Sequence, residues 1–187
     1  MRMFVAVIPP EEVVEDLDEF LSVRREAEGL RWTLPEHWHL TLAFLEHVPD
    51  RAYDDLVERL RRAAHKRSPQ SAAVVGGGAF PHPDRAKVIW AGVELEDPVG
   101  LDQLATGCRA AASKAGVAVP GERFRPHLTL ARTGHPTSAT RWLRVLDAYR
   151  GPPFAITETA LVRSHLGEGP NRRPRYEVLE TFPLQRD

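Results

Sequence analysis

Hydrophobic and polar positions along this chain switch between a period of two and a period near 3.6, and the switches predict its elements. Residues 2–8, RMFVAVI, form a short run of β character that ends at Pro9-Pro10. From 10 to 24, Val13, Val14, Leu17, Phe20 and Leu21 fall at helical spacing, with Glu11 and Glu12 in the first turn, where a helix favours negative charge. Residues 38–45, WHLTLAFL, read as a strand. A helix over about 50–66 follows, with Asp50 as its N-cap and Leu56, Val57 and Leu60 on its apolar face. The runs 71–80 and 86–95 read as a strand pair joined through the loop 81–85. A helix over about 98–115, a strand over 127–132, a helix near 137–148 and two strands, about 154–163 and 175–184, complete the chain.

The order of strand, helix and strand pair recurs in the two halves, and a pentapeptide recurs with it. HLTLA occupies 39–43 and again 127–131. Two copies do not make a solenoid; they predict a duplicated lobe. The expected class is therefore α+β, with two sheets facing each other and helices covering the outside.

Composition narrows the setting. At 187 residues the chain suits one domain, or two small lobes sharing one core. Such a chain can bury roughly 70% of its unfolded surface and needs no staple to fold. Hydrophobic residues at 42% and charged residues at 27% exclude a disordered chain. A net charge of −1 excludes a globally basic nucleic-acid binder but leaves room for a local basic site. The single cysteine, Cys108, can form neither an internal disulfide nor a zinc cluster. The opening apolar run stops at two prolines and acid, unlike a signal peptide, and no stretch approaches the roughly 20 apolar residues of a membrane span. A soluble, cytoplasmic protein with no membrane partner is expected.

The repeated pentapeptide carries the chemistry. In a strand, residues i and i+2 share a face. His39 and Thr41 then point one way and Leu40 and Leu42 the other, and His127 and Thr129 oppose Leu128 and Leu130 in the same manner. Leucines satisfy packing. The polar pair does not, so it should line a cleft. Duplicated packing would demand the leucines again but not the same His and Thr. Two imidazoles across a pocket suit acid–base chemistry, since one can be neutral while the other is charged near neutral pH. Two hydroxyls can donate to anionic oxygens, and together the four groups suit a phosphodiester without a metal.

These two H-x-T-x motifs, at 39–42 and 127–130, resemble those of the 2H phosphoesterase superfamily, and within it the RNA 2′,3′-cyclic phosphodiesterases, also called 2′-5′ RNA ligases. The similarity extends through FVAVIPP, RWTLPEHWHLTLAFL, GGGAFPHPDRAKVIWAGV, ERFRPHLTLAR and LVRSHLGEGPNRRPRYEVLETFPL, nearly the whole chain. Glu46 departs from it, standing where the family places a small residue, often Gly, and bears on the pocket rim. The resemblance implies a bilobal fold with pseudo-twofold symmetry and a central groove, so that residues 1–187 form one domain of two intertwined lobes. It implies hydrolysis of RNA 2′,3′-cyclic phosphate ends to 2′-phosphates, with His39 as proton donor to the departing 3′ oxygen and His127 as proton acceptor activating water. Thr41 and Thr129 would bind the phosphate. Joining such an end to a 5′-hydroxyl as a 2′-5′ bond would use the same groups. The expected partner is RNA or a nucleotide ending in a cyclic phosphate, no cofactor is expected, and the expected state is a monomer.

Other residues carry two readings each. Alternation from Thr129 puts Ala131 on the cavity face and Arg132 on the opposite one unless the strand twists or bulges, whereas the resemblance implies that Arg132 reaches the nucleotide or phosphate. Arg123 and Arg125 either guide RNA or lie in a solvated loop. Phe80 follows Gly76-Gly77-Gly78, which can permit a bulge or close backbone approach; it is either a base-stacking ring or a core aromatic. That glycine run lacks the Lys-Ser/Thr ending of a P-loop, which disfavours an NTPase. Trp32 and Trp90 read as core, and Ser164 and Tyr176 as candidates for the groove wall. Arg59, Arg61, Arg62, Lys66 and Arg67 read as a solvated helix face. His37 and His39 have the spacing of two metal ligands, but no third histidine, among His47, His82, His135 and His165, stands at a recognisable spacing, and no metal is expected. Two rival functions stand beside the first: a phosphoesterase for another small nucleotide substrate, and a non-catalytic nucleotide-binding module.

Overall fold

A computed structural model describes residues 1–25, 29–121 and 123–185. Strand β1 (Met3–Val7) is buried at every position and ends before the two prolines. Helix α1 (Glu11–Ser22) buries Val13, Leu17 and Leu21, one stripe of its surface. A short strand β2 (Leu30–Trp32) follows, then β3 (Leu40–Leu45) and α2 (Tyr53–His65). The long hairpin of β4 (Gln70–Phe80) and β5 (Ala86–Leu95) leads into α3 (Pro98–Lys114). Strand β6 (His127–Thr137), helix α4 (Thr140–Asp147) and strands β7 (Phe154–Ile156), β8 (Glu158–His165) and β9 (Arg175–Pro183) complete it.

Two expectations about element bounds shift. Asp50 does not cap α2: it opens a 3-10 turn, Asp50–Ala52, and the helix begins at Tyr53 with no side-chain cap. The well-made cap is at α3, where the Asp97 carboxylate accepts from the Gly100 amide at 2.9 Å and Pro98 starts the helix. Strand β6 runs through Gly134 and Pro136 to Thr137, because β2 and the start of β5 both pair with it.

The strands form a curled antiparallel sheet in the order β7-β4-β5-β6-β3-β1-β8-β9, with β2 alongside β6. At its middle the two halves are joined through one register pair, Leu40 with Leu128. The two expected sheets thus meet at a seam one residue beyond His39 and His127. One half-sheet draws strands from both ends of the chain, β1 and β3 beside β8 and β9, and the other takes β4, β5, β6 and β7 from its middle.

The helices contribute to one apolar core against one face of this sheet. Leu17, Leu56, Leu60, Leu104, Cys108 and Leu146 meet Leu40, Leu42, Leu45, Leu128 and Leu130 there. Fully burying a leucine contributes about 1.5–3 kcal/mol, so this face dominates the stability of the sheet. The other face carries a small cluster of Phe4, Ala6, Ala160 and Val162, and the groove. Among the described residues, no helix is long and apolar enough to cross a membrane.

Candidate active site

Strand register decides which side chains reach the groove. Against β1, Val5 pairs with Ala43 and Ala6 with Thr41, so Leu42 has no partner. This is a β-bulge: one extra residue resets the alternation. Leu42 and Ala43, each 3% exposed, both point into the core. Thr41 and Phe44 both line the groove, although they are three residues apart. Strand β6 repeats the device at the same motif position. Ile89 pairs with Ala131 and Trp90 with Thr129, leaving Leu130 unpartnered. Leu130 and Ala131 are both 0% exposed. Arg132 therefore swings to the side of Thr129 and lines the groove, against strict alternation.

The groove encloses about 520 Å³. His39, Thr41, His127 and Thr129 line it together, with Phe44 and Arg132 in corresponding places of the two motifs. Arg2, His37, Ser164 and Tyr176 also belong to its wall. Each motif histidine is anchored alike. His39 Nδ1 lies 2.7 Å from the His37 carbonyl oxygen, and His127 Nδ1 lies 2.6 Å from that of Arg125. A carbonyl only accepts, so both Nδ1 atoms carry the proton and both Nε2 atoms are left for the groove. Phe4 stacks on His39 at 4.4 Å, and Tyr176 meets the same ring edge-on at 5.7 Å. Phe80 meets His127 edge-on at 5.1 Å.

This enclosure shapes the titration. Burial pushes His39 down to about 4, and the positive fields of His127, His37 and Arg132 act in the same sense against the carbonyl hydrogen bond. Burial also lowers His127, helped by Arg132 and Arg125 and opposed by its own carbonyl hydrogen bond. Both rings are therefore neutral near pH 7 in the free protein.

Several predicted residues sit beside the groove. Phe80 packs on Trp90 at 5.2 Å and on His127, and the Arg125 guanidinium lies 5.6 Å over its ring. It is a buttress of the His127 ring. Arg125 and Arg123 line an adjoining cavity of about 180 Å³ that touches the groove at Thr41 and His127. The glycine run makes close approaches: a Cβ on Gly77 would lie 2.6 Å from the Trp90 carbonyl oxygen, and one on Gly78 would collide with the Trp90 ring. Ser164 and Tyr176 do reach the groove wall, while Glu46 is exposed and apart from it. His37 packs on Tyr176 at 4.4 Å. Among the described residues, no three His, Cys, Asp or Glu side chains gather as metal ligands.

Sequence reasoning missed Phe4, Phe44 and Arg2. The Arg2 guanidinium lies 4.6 Å over the Phe44 ring. The signal for Phe44 was present in the alignment of HLTLAF with HLTLAR, which pairs Phe44 with Arg132.

Comparison with known proteins places the chain in a family. The family model described as LigT like Phosphoesterase matches residues 7–90 and 93–171. An RNA 2′,3′-cyclic phosphodiesterase of Thermus thermophilus is 35% identical over 99% of this chain and 91% of its own length. One of Escherichia coli is 29% identical over 98% of this chain and 96% of its own. A crystal structure of a Thermus thermophilus protein, 35% identical, superposes with a TM-score of 0.78 over 99% of this chain and 98% of that one. Escherichia coli LigT complexed with 3′-AMP, 26% identical, superposes with a TM-score of 0.79 over the same shares. With the family model covering most of both halves, and one of the two histidine motifs inside each matched stretch, the chain belongs to the LigT-like phosphoesterase family.

Proposed function

We propose that the protein hydrolyses 2′,3′-cyclic phosphate ends of RNA to 2′-phosphates by acid–base catalysis between His39 and His127, without a metal. The observation that carries this reading is the matched pair of imidazoles in one groove, each with Nδ1 held by a main-chain carbonyl and Nε2 free to exchange a proton. Relatives named RNA 2′,3′-cyclic phosphodiesterase support the substrate.

Bonds and protons balance across the step. The His127 Nε2 takes a proton as a water oxygen attacks phosphorus. The bond from phosphorus to the 3′ oxygen breaks, and the His39 Nε2 gives that oxygen its proton. Thr41 and Thr129 donate to the non-bridging oxygens, and Arg132 offsets their charge. His127, lowered by burial and by Arg132, is ready as an acceptor. His39 must be charged to donate, and the bound phosphate anion supplies the opposite charge that favours its protonation. A 5′-hydroxyl in place of water would give a 2′-5′ bond. Both motifs come from one chain, which supports a monomer as the working unit, acting on RNA in the cytoplasm as one two-lobed domain over 1–187.

The test is a short RNA with a 2′,3′-cyclic phosphate end, incubated with the protein in EDTA and analysed for product isomer. A 2′-phosphate is expected, and its formation is expected to fall by a factor on the order of 10² to 10⁴ in His39→Ala or His127→Ala. A 3′-phosphate, dependence on added zinc, or unimpaired variants would overturn the reading.

A further inference from the structure

Several arginines on this chain meet carboxylates: Arg25 pairs with Asp18, Arg59 with Asp55 at 2.9 Å, Arg61 with Glu58 at 3.2 Å and Arg150 with Glu94 at 3.1 Å. One shelf of arginines beside the groove meets main-chain carbonyls instead. Arg31 of β2 and Arg132 of β6 are direct register partners. Residues directly opposite in an antiparallel pair share a face, and like charges there oppose pairing. Arg132 lines the groove, and so does Thr33, two residues beyond Arg31. The two guanidinium groups therefore extend the groove across β2, and among the described residues neither has a carboxylate partner.

The loop between β8 and β9 continues the shelf. Its Asn171 carbonyl accepts from Arg31 Nη2 at 3.1 Å, and Arg173 Nη2 donates to the Trp32 carbonyl at 2.9 Å. Loop and strand are thus lashed together twice. The Gly169 amide donates to the Arg173 carbonyl at 2.7 Å, and the Arg173 amide to that of Pro170 at 3.0 Å, which closes a tight turn. Within it Asn171 and Arg172 both hold left-handed backbone, φ 53° and 61°. That conformation is uncommon for an arginine, and here it leaves the Arg172 side chain exposed, without a carboxylate partner among the described residues. Pro174 of the same loop is part of the groove wall.

We infer that this arginine shelf holds the phosphodiester backbone on the 5′ side of the reacting nucleotide, which makes an RNA strand rather than a mononucleotide the favoured substrate. The inference rests on the function proposed above. With His39, beside Tyr176 of β9, at the leaving 3′ oxygen, the attached nucleoside would face the β8–β9 loop, which carries Arg172 and is tied to Arg31. Fixed positive charge without carboxylate partners is what a passing phosphate requires.

The experiment compares kcat/KM for adenosine 2′,3′-cyclic phosphate and for a hexanucleotide ending in the same group, in wild type, Arg31→Gln and Arg172→Gln. Wild type is expected to prefer the hexanucleotide. Each variant should lower that preference roughly tenfold. The slope of log kcat/KM against log salt for the hexanucleotide should become shallower by about 0.7 per charge removed. Arg172 lies on an exposed turn, so its variant decides the matter if Arg31→Gln loosens the loop. No strand preference in wild type, or the same preference in both variants, would overturn the inference. Turnover of neither substrate by wild type would instead remove the reading of the groove, and this inference with it.

Discussion

Each catalytic candidate in the groove is a histidine whose freedom has been reduced to one nitrogen. The carbonyls of His37 and Arg125 hold the two Nδ1 protons, and aromatic rings enclose both imidazoles. The same enclosure makes the charged forms costly. This gives the pH dependence of kcat/KM, which reports the free enzyme. On the proposed mechanism the competent form has His39 charged and His127 neutral. With His39 near 4 and His127 below 6.5, both limbs fall on the acid side of an ordinary histidine. The expected profile is a bell with its maximum below pH 6.5, measured with the cyclic-phosphate RNA under saturating buffer control. A maximum at pH 7.5 or above would contradict it. The four polar residues were legible from the repeat alone, because packing has no use for a second His-x-Thr.

At the scale of elements, the two bulges do what alternation cannot. Leu42 and Leu130 are extra residues, and each turns the following side chain but one back to the groove. Nothing in an Ala-Phe or Ala-Arg step announces a bulge, so the side of Arg132 was open in the sequence. Strand β2 was not legible for a different reason: three residues are too few to show a period. The glycine run, by contrast, declared close approach, and Gly78 shows what it is for. Trp90 lies against its backbone and touches both Phe80 and His127, at 5.2 and 5.9 Å. Gly78→Ala should displace that ring, costing about 1–3 kcal/mol of stability by overpacking. Chemical denaturation reads the loss, and kcat should fall with it because His127 loses its backing. A variant as stable and active as wild type would show that Trp90 does not set the ring.

For the whole molecule, the decisive feature is that neither half-sheet is built from one half of the chain. Strands β8 and β9 return beside β1, and one core holds residues from every helix. The paired motifs made a duplication legible, but not this interleaving, which depends on which strands pair across long distances. Such a chain should unfold as a unit, so a cost at the seam is felt by the global equilibrium. His39 sits at that seam. Its folded pKa of about 4 lies below the ordinary 6.5. Between those pH values the unfolded chain binds more protons, so stability is fully present above pH 6.5 and declines as pH falls toward 4. The decline from this group is at most about 3 kcal/mol, at about 1.4 kcal/mol per pKa unit. Urea titrations across that window should show it in wild type, and His39→Gln should flatten it. An equal decline in the variant would place the cost elsewhere.

A duplicated cradle has no front and back. Turned through its own dyad, it would accept a visitor equally well in either sense, and a reaction with a distinct entering and departing group would have no preferred heading. The pair formed by Phe44 and Arg132 removes that ambiguity. At one arm stands an apolar ring capped by Arg2, and at the other a bare cation. This one difference between corresponding places thus acts as a compass needle: it helps to tell a ligand which end is north. Two copies of one motif supply the two hands, and the difference at their sixth residue helps to make them left and right.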